Sequence, residues 1–470
     1  MVLNGSGAHK AAWVTILLLI GVYSVVRFVG LDKSPPGLYA DEAVVAAEAI
    51  ALVQTGYDSH HERELFTPMT AGGNVSAAHL YPKALWIALA GYSIPALRAY
   101  AGLEATLLLA GLFFLARSRL GTRAAVLVLL AGCLSPWIFQ YSRMAVEDPM
   151  LSLCGLVWGL YFFLRSAAWA DAIIAALCFS VAVYAYGSAR VTLPLLFPLL
   201  LWVKQPDRKV TLRYLAAFAV TGVLLCAPLL IGTLRGTLLS RYAVVGIFFP
   251  AHLQGGGPLA TVGEFLYNLR LHLAPDYLFI SGDANFRHST QFTGEFSWLD
   301  TFALIMGVAL LGLTVVQSQR LPVNRFMVLC GAGFIIGIFP AALTWEGVPH
   351  AVRASECWPF LVLLTGFSLT RAEDRWPWVL PAGALVAAAF AVGFLRYYFV
   401  IYPPTARDEF QVARLEAAEH GRATGDWRPL ARLTRNDPPL AVRYYLMRYA
   451  GQSFEQSSHL FEGLVPSAKK

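Results

Sequence analysis

Charge is scarce in this chain. Only 14% of its 470 residues are Asp, Glu, Lys or Arg, where soluble domains carry roughly a quarter. With 57% hydrophobic residues and a mean hydropathy of +0.57, the composition excludes a large soluble helical protein. The six cysteines (Cys133, Cys154, Cys178, Cys226, Cys330 and Cys357) have no CxxC spacing and sit mostly inside apolar runs. That argues against a disulfide framework or a thiolate metal site and leaves them as small packing residues. There is no Walker A pattern and no strand-linked GxGxxG, so a built-in nucleotide cradle is missing. Internal repeats and low-complexity tracts are absent too, which speaks against a solenoid or a repeat-built transporter.

What the chain does have is long apolar runs, of the length a helix needs to cross about 30 Å of hydrocarbon. Eleven spans are expected, at 11–30, 98–117, 122–140, 149–166, 170–187, 189–203, 211–232, 299–317, 324–343, 354–371 and 376–399. The fold class is therefore an all-α polytopic membrane protein. The span at 189–203 is short and carries Pro194 and Pro198, which predicts distortion or local bilayer thinning. Residues 80–94 are apolar but too few to cross, and suit an interfacial or re-entrant helix. The first run is followed by Pro35-Pro36 rather than a small-residue cleavage site, and reads as a retained anchor.

Basic residues fix the expected orientation. With 80–94 not crossing and the N-terminus cytoplasmic, Arg117/Arg119/Arg123, Lys204/Arg208/Lys209/Arg213, Arg320/Arg325 and Arg371/Arg375 all fall in inside turns. The net charge of +7 is thus explained by topology and lipid headgroups, and no nucleic-acid partner is implied. The outside then holds the connections 31–97 and 233–298, the loops 141–148 and 344–353, and a tail. Two units are expected, a membrane domain over 1–399 and a small extracytoplasmic region over 400–470. The tail should contain a helix near 407–420 ended by Gly421, and a turn at Asp437-Pro438-Pro439.

Five polar clusters share the outside face: GLYADEA, YSRMAVEDP, YAYGSAR, SGDANFRH and PHAVRA. Asp41 and Glu42 open an Ala/Val-rich helix over 43–54, either as a cap or as functional carboxylates, one of them a general base. Asp148, before Pro149, is a second acid with the same two readings, and Arg143 on its loop could orient a carboxylate. Tyr186 and Arg190 end the fifth span, where an Arg either snorkels or binds. Asp283, Arg287 and His288 crowd a Gly-punctuated loop in a density suited to phosphate or sugar hydroxyls. His350 and Arg353 precede the tenth span, where Arg353 is placed to grip a lipid-linked phosphate. Lys83 either snorkels or contacts that phosphate. Asp58, His60, His61 and Glu62 form a tempting metal cluster, but adjacent histidines on a polar loop are more often solvated than ligating, and no metal site is expected there.

Taken in order, these motifs, together with TGYDSHHERELFTP and IPALRAYAGL, resemble the GT-C membrane glycosyltransferases over residues 11–400. The narrower resemblance is to the group holding dolichyl-phosphate-mannose–protein mannosyltransferases and the lipid A aminoarabinose transferase. It implies a GT-C-like fold with long extracytoplasmic loops, and an inverting transfer of a sugar from a polyprenyl-phosphate carrier. The acceptor would be a lipid, glycan or protein bearing a hydroxyl or phosphate. By the same resemblance Asp41 is the leading catalytic carboxylate, with Glu42 beside it and Asp148 assisting. Arg190, Arg287, His288, Arg353 and Lys83 would surround the donor phosphate. His61 stands where the resemblance leads one to expect glycine.

The chemistry is coherent without the resemblance. A lipid phosphate is its own leaving group, so the protein need only align a hydroxyl, take its proton and hold the departing charge. The expected setting is a bacterial plasma membrane with the site facing outward; the chemistry names no certain cofactor and leaves a divalent metal as the alternative. The rival reading is a transporter or flippase of lipid-linked saccharides, which would need the phosphate-binding arginines but no catalytic carboxylate.

Overall fold

The computed structural model describes residues 7–61, 76–146, 149–204, 212–234, 244–248, 257–317, 324–435 and 437–464. Among them the architecture is helical, with a single isolated bridge between Gly246 and Thr344. Each of the eleven expected spans is occupied by helix. Among the described residues, six helices are long and apolar enough to cross a membrane: Gly7–Val26, Ile94–Leu120, Leu212–Leu234, Trp298–Val316, Arg325–Ala342 and Val379–Thr405. Thr122–Leu134, Pro149–Arg165 and Trp169–Ala185 are apolar but shorter. At 1.5 Å per residue they extend only about 20–25 Å, so not every expected span bridges a full bilayer unaided. The expected span at 122–140 is broken where Ser135 ends one helix and caps the next, Pro136–Tyr141. This is an integral membrane protein, and lipid is the solvent for side chains such as Val223, Leu224, Leu385 and Val392, all more than half exposed.

Helices pack closely where side chains are small. A Cβ at Gly155 would strike the Cys178 carbonyl and the backbone of Ala182, so Pro149–Arg165 and Trp169–Ala185 meet backbone to backbone there. The Ala77–Ala90 helix is 14 residues long, too short to cross, in keeping with the interfacial expectation for 80–94.

The basic turns gather at one end of the bundle. Arg123 pairs with Asp374 at 2.8 Å, Arg325 donates to the Trp202 carbonyl at 3.0 Å, and Lys204 donates to Ser166 O at 2.6 Å. His9, in the first turns of the N-terminal helix, meets Glu373 at the same end. The polar loops 31–39, 141–146, 281–297 and 344–353 lie at the other.

A second apolar cluster forms over the Ala40–Thr55 helix, where the C-terminal helices pack. Tyr445 donates to Leu38 O at 3.0 Å, and Phe454 N donates to Gln54 at 2.7 Å. The tail helix runs over Val412–Thr424 and stops at Gly425, in the left-handed region at φ 77°. Gly421, expected to end it, lies inside the helix beneath the Trp427 ring, because a glycine there lets the indole pack against the helix backbone. Gly37 fixes how closely the tail approaches. Its φ is +60°, and a Cβ would overlap the Phe410 carbonyl. Gly37→Ala should therefore cost about 1–3 kcal/mol from backbone strain, before any steric cost. A lowered melting temperature in detergent checks this.

Candidate active site

The Ala40–Thr55 helix begins directly after the Pro35-Pro36-Gly37 turn, and its first residues decide the site. Asp41 is exposed on a cavity of about 490 Å³, whereas Glu42 is fully buried. Adjacent residues of a helix point about 100° apart, so one carboxylate faces solvent and the other faces protein. Asp41 is not the helix cap. Tyr39 holds that position, and its N–H donates to Glu42 Oε2 at 3.1 Å.

The same cavity is lined by Tyr186, Asp283, Arg287, His288, His350 and Arg353. Seven residues singled out in the sequence therefore converge from four separate stretches of chain. Asn285, of the same loop as Asp283, lines it too, as do Tyr39, Tyr141 and Glu346, which were not singled out. Tyr39 and Tyr141 lie inside the quoted clusters, and Glu346 lies just before PHAVRA; proximity to those motifs is the signal that could have found them. Asp148 and Glu147 fall outside the described residues, although Val146 and Pro149 on either side of them line the cavity.

Arg287 lies flat on the Tyr39 ring, its guanidinium carbon 3.8 Å from the centroid, and approaches Glu409 of the tail at 3.7 Å. Arg353 donates to Thr344 Oγ1 at 3.0 Å and to Glu346 O at 2.9 Å, and pairs with the Glu346 carboxylate at 3.3 Å. Asp283 staples two loops. It accepts from Asn285 N at 2.8 Å, from Ala351 N at 2.9 Å and from His288 Nδ1 at 2.9 Å. Burial alone would raise the Asp283 carboxyl, but the His288 bond and charge and the two N–H groups hold it below the usual value. Burial, helped by His288 and Arg353, pushes the His350 imidazole down to about 2, which keeps it neutral. Behind the loop, Glu295 accepts from Asp283 N at 2.8 Å; burial, then the Asp283 charge, pushes its carboxyl well up.

Four other expected site residues are placed away from the cavity, each for an identifiable reason. Glu42 is locked to Arg98 by two bonds of 3.0 Å and also accepts from Ala145 N at 2.8 Å. Arg143 is buried and donates to the carbonyls of Val26, Arg27, Val29, Gly30 and Ser34. All five lie at or just beyond the end of the first helix, so Arg143 ties together the turn that follows it. Lys83 is buried with its ammonium on Ala145 O at 2.8 Å. Arg190 donates to Val183 O at 3.0 Å and lines a separate, almost wholly apolar groove of about 480 Å³ with Phe179, Pro194, Phe197, Phe218 and Leu229.

Asp58, His60 and His61, of the stretch for which a solvated loop is the favoured reading, lie apart from the cavity lining. His60 N and Ser59 cap Asp58 and Glu48 in a local turn, and Glu62 lies outside the described residues. His61 has φ +63°, the conformation that the expected glycine would adopt without strain. Among the described residues, metal-ligand spacing occurs instead at Asp283, His288 and His350.

No protein-family model matches the chain, and no curated protein matches it. Solved structures similar to it include ArnT from Cupriavidus metallidurans in the apo state, at 18% identity over 97% of this chain and 75% of that one, with a TM-score of 0.48. The same protein bound to undecaprenyl phosphate is 19% identical over 96% of this chain and 78% of that one, again with a TM-score of 0.48. The apo oligosaccharyltransferase of Archaeoglobus fulgidus is 12% identical over 90% of this chain and 60% of that one, with a TM-score of 0.47.

Proposed function

We propose that this protein is an inverting glycosyltransferase. It moves a sugar from a polyprenyl-phosphate carrier to an acceptor hydroxyl or phosphate at the extracytoplasmic face of a bacterial plasma membrane. The observation that carries the reading is one cavity in which an exposed carboxylate, Asp41, faces the same space as Arg287, Arg353 and His288. Those are the parts a displacement at a phosphate-bearing anomeric carbon requires.

In this reading the acceptor binds beside Asp41, which takes its proton as the new C–O bond forms at C1. The C1–O bond to phosphate breaks in the same step, and the released polyprenyl phosphate keeps the electron pair. Arg287 and Arg353 neutralise that oxyanion. A single displacement with one carboxylate inverts the anomeric centre. The prenyl tail has an apolar groove available between the Trp169–Ala185, Ala189–Lys204 and Leu212–Leu234 helices. Tyr186 on the cavity and Arg190 on the groove are four residues apart, which supports a path from one to the other. The collection of basic turns at the opposite end supports the outward orientation of the cavity.

Purified protein offered a panel of radiolabelled polyprenyl-phosphate sugars and membrane acceptors tests the proposal. Formation of a new glycosidic bond supports it. Movement of saccharide across vesicles without a new bond would support a transporter instead. Arg353→Ala should raise the donor KM by about 10–100-fold, the loss of one charge-assisted contact worth roughly 1.5–3 kcal/mol. Arg353→Lys should recover only part of it, because an ammonium lacks the planar fork.

A further inference from the structure

The loop 281–297 and the loop 344–353 come together in one cluster whose geometry the transfer reaction does not explain. Asp283, His288 and His350 each offer one ligand atom, and all three atoms lie within 4.8 Å of one another. The shortest separation, His288 Nδ1 to Asp283 Oδ2, is 2.9 Å. A tetrahedral ion with bonds of about 2.0–2.1 Å holds its ligands roughly 3.4 Å apart, a value between the shortest separation and the 4.8 Å within which all three atoms fall. The two imidazole rings lie 4.7 Å apart, tilted by 30°, and both border the cavity.

Asp283 and the backbone of His350 are also held from behind, as the surroundings of metal ligands are. Asn285 N fixes one oxygen of Asp283, and Ala351 N fixes the other. The His350 backbone N–H donates to His272 Nε2 at 2.9 Å, and His272 Nδ1 is in turn bonded to Asn268 O at 2.8 Å. His272 Nε2 thereby acts as an acceptor and Nδ1 as a donor, which fixes the orientation of its ring. Two imidazoles and one carboxylate make a mixed nitrogen and oxygen set, suited to zinc and its neighbours and poorly suited to magnesium or calcium. Three protein ligands beside an open cavity leave a fourth position for water or an oxyanion.

We propose that Asp283, His288 and His350 bind one divalent transition-metal ion of the zinc class, with the open coordination position facing the cavity. Binding displaces the His288 Nδ1 proton to solvent, or turns that ring so that its other nitrogen ligates. If the transfer reading holds, the open position receives a donor phosphate oxygen; the ion site itself does not depend on that reading.

The test uses the full chain in detergent, stripped with chelator and titrated with Zn²⁺ by calorimetry and with Co²⁺ by visible absorption, without donor or acceptor. The wild type should bind one equivalent and give the intense visible bands of a four-coordinate cobalt site. His288→Ala and His350→Ala should each weaken binding by more than the roughly 10–100-fold seen for outer-shell changes, while His272→Ala should stay within that range. His60→Ala should bind as the wild type does. Melting temperatures without metal separate lost ligation from lost folding, and His350→Gln serves if His350→Ala does not fold. Absence of stoichiometric binding in the wild type, wild-type affinity in both His variants, or displacement by equimolar Mg²⁺ would overturn the site. Loss of sugar transfer with metal binding intact would count against the transfer reading alone.

Discussion

Asp41→Asn should lower sugar transfer by about 10²–10⁴-fold, the usual contribution of a positioned general base, while melting temperature and donor affinity stay near wild type. The expectation follows from where this carboxylate sits. Asp41 is exposed on the cavity, does not cap its helix, and shares the space with two arginines and two histidines. Asparagine keeps the shape and removes the basicity, so acceptor binding should survive while proton removal fails. Initial rates with saturating donor, beside a donor-binding isotherm, check it. Equal rates in both proteins would remove Asp41 from the mechanism.

Glu42→Ala, one residue further on, should have the opposite phenotype. Its carboxylate is fully buried against Arg98, whose guanidinium also donates to the carbonyls of Leu31, Pro35 and Gly37 at 2.6–2.9 Å. Removing the acid strands a buried cation and frees Ala145 N and Tyr39 N at once. Loss of one partner from such a pair costs about 3–5 kcal/mol. The protein should unfold at a distinctly lower temperature or fail to accumulate. Replacing Arg98 by Met in the same chain should not rescue it, because the three loop carbonyls would then lose their donor. Should Glu42→Ala fold normally and abolish transfer, the roles of the two acids would have to be exchanged.

The contrast between these neighbours shows what a sequence can carry. The ADE triplet announces carboxylates at a helix start, but which one meets the cavity depends on the rotation of that helix against Arg98 and the tail. The arginines divide in the same way. Arg143 and Arg353 both sit in loops beside spans, and both look able to bind phosphate. Arg143 meets the carbonyls of the turn after the first helix, and Arg353 meets the cavity. Nothing local separates them, because those carbonyls belong to residues more than a hundred positions away. His350 shows the reverse: its partners Asp283 and His288 were each visible in the sequence, but not their meeting.

The sequence alone determined that this protein lives in a membrane, where its helices lie, and which loops hold acids and cations. Hydrophobic length and charge placement are properties of the chain read in order, and the bilayer selects on both directly. Only the tertiary structure decided which of those charged groups face open space and which are consumed in satisfying buried backbone. That choice depends on contacts between distant segments, and in a low-dielectric interior an unsatisfied carbonyl or carboxylate is costly enough to claim a side chain that would otherwise be free to act.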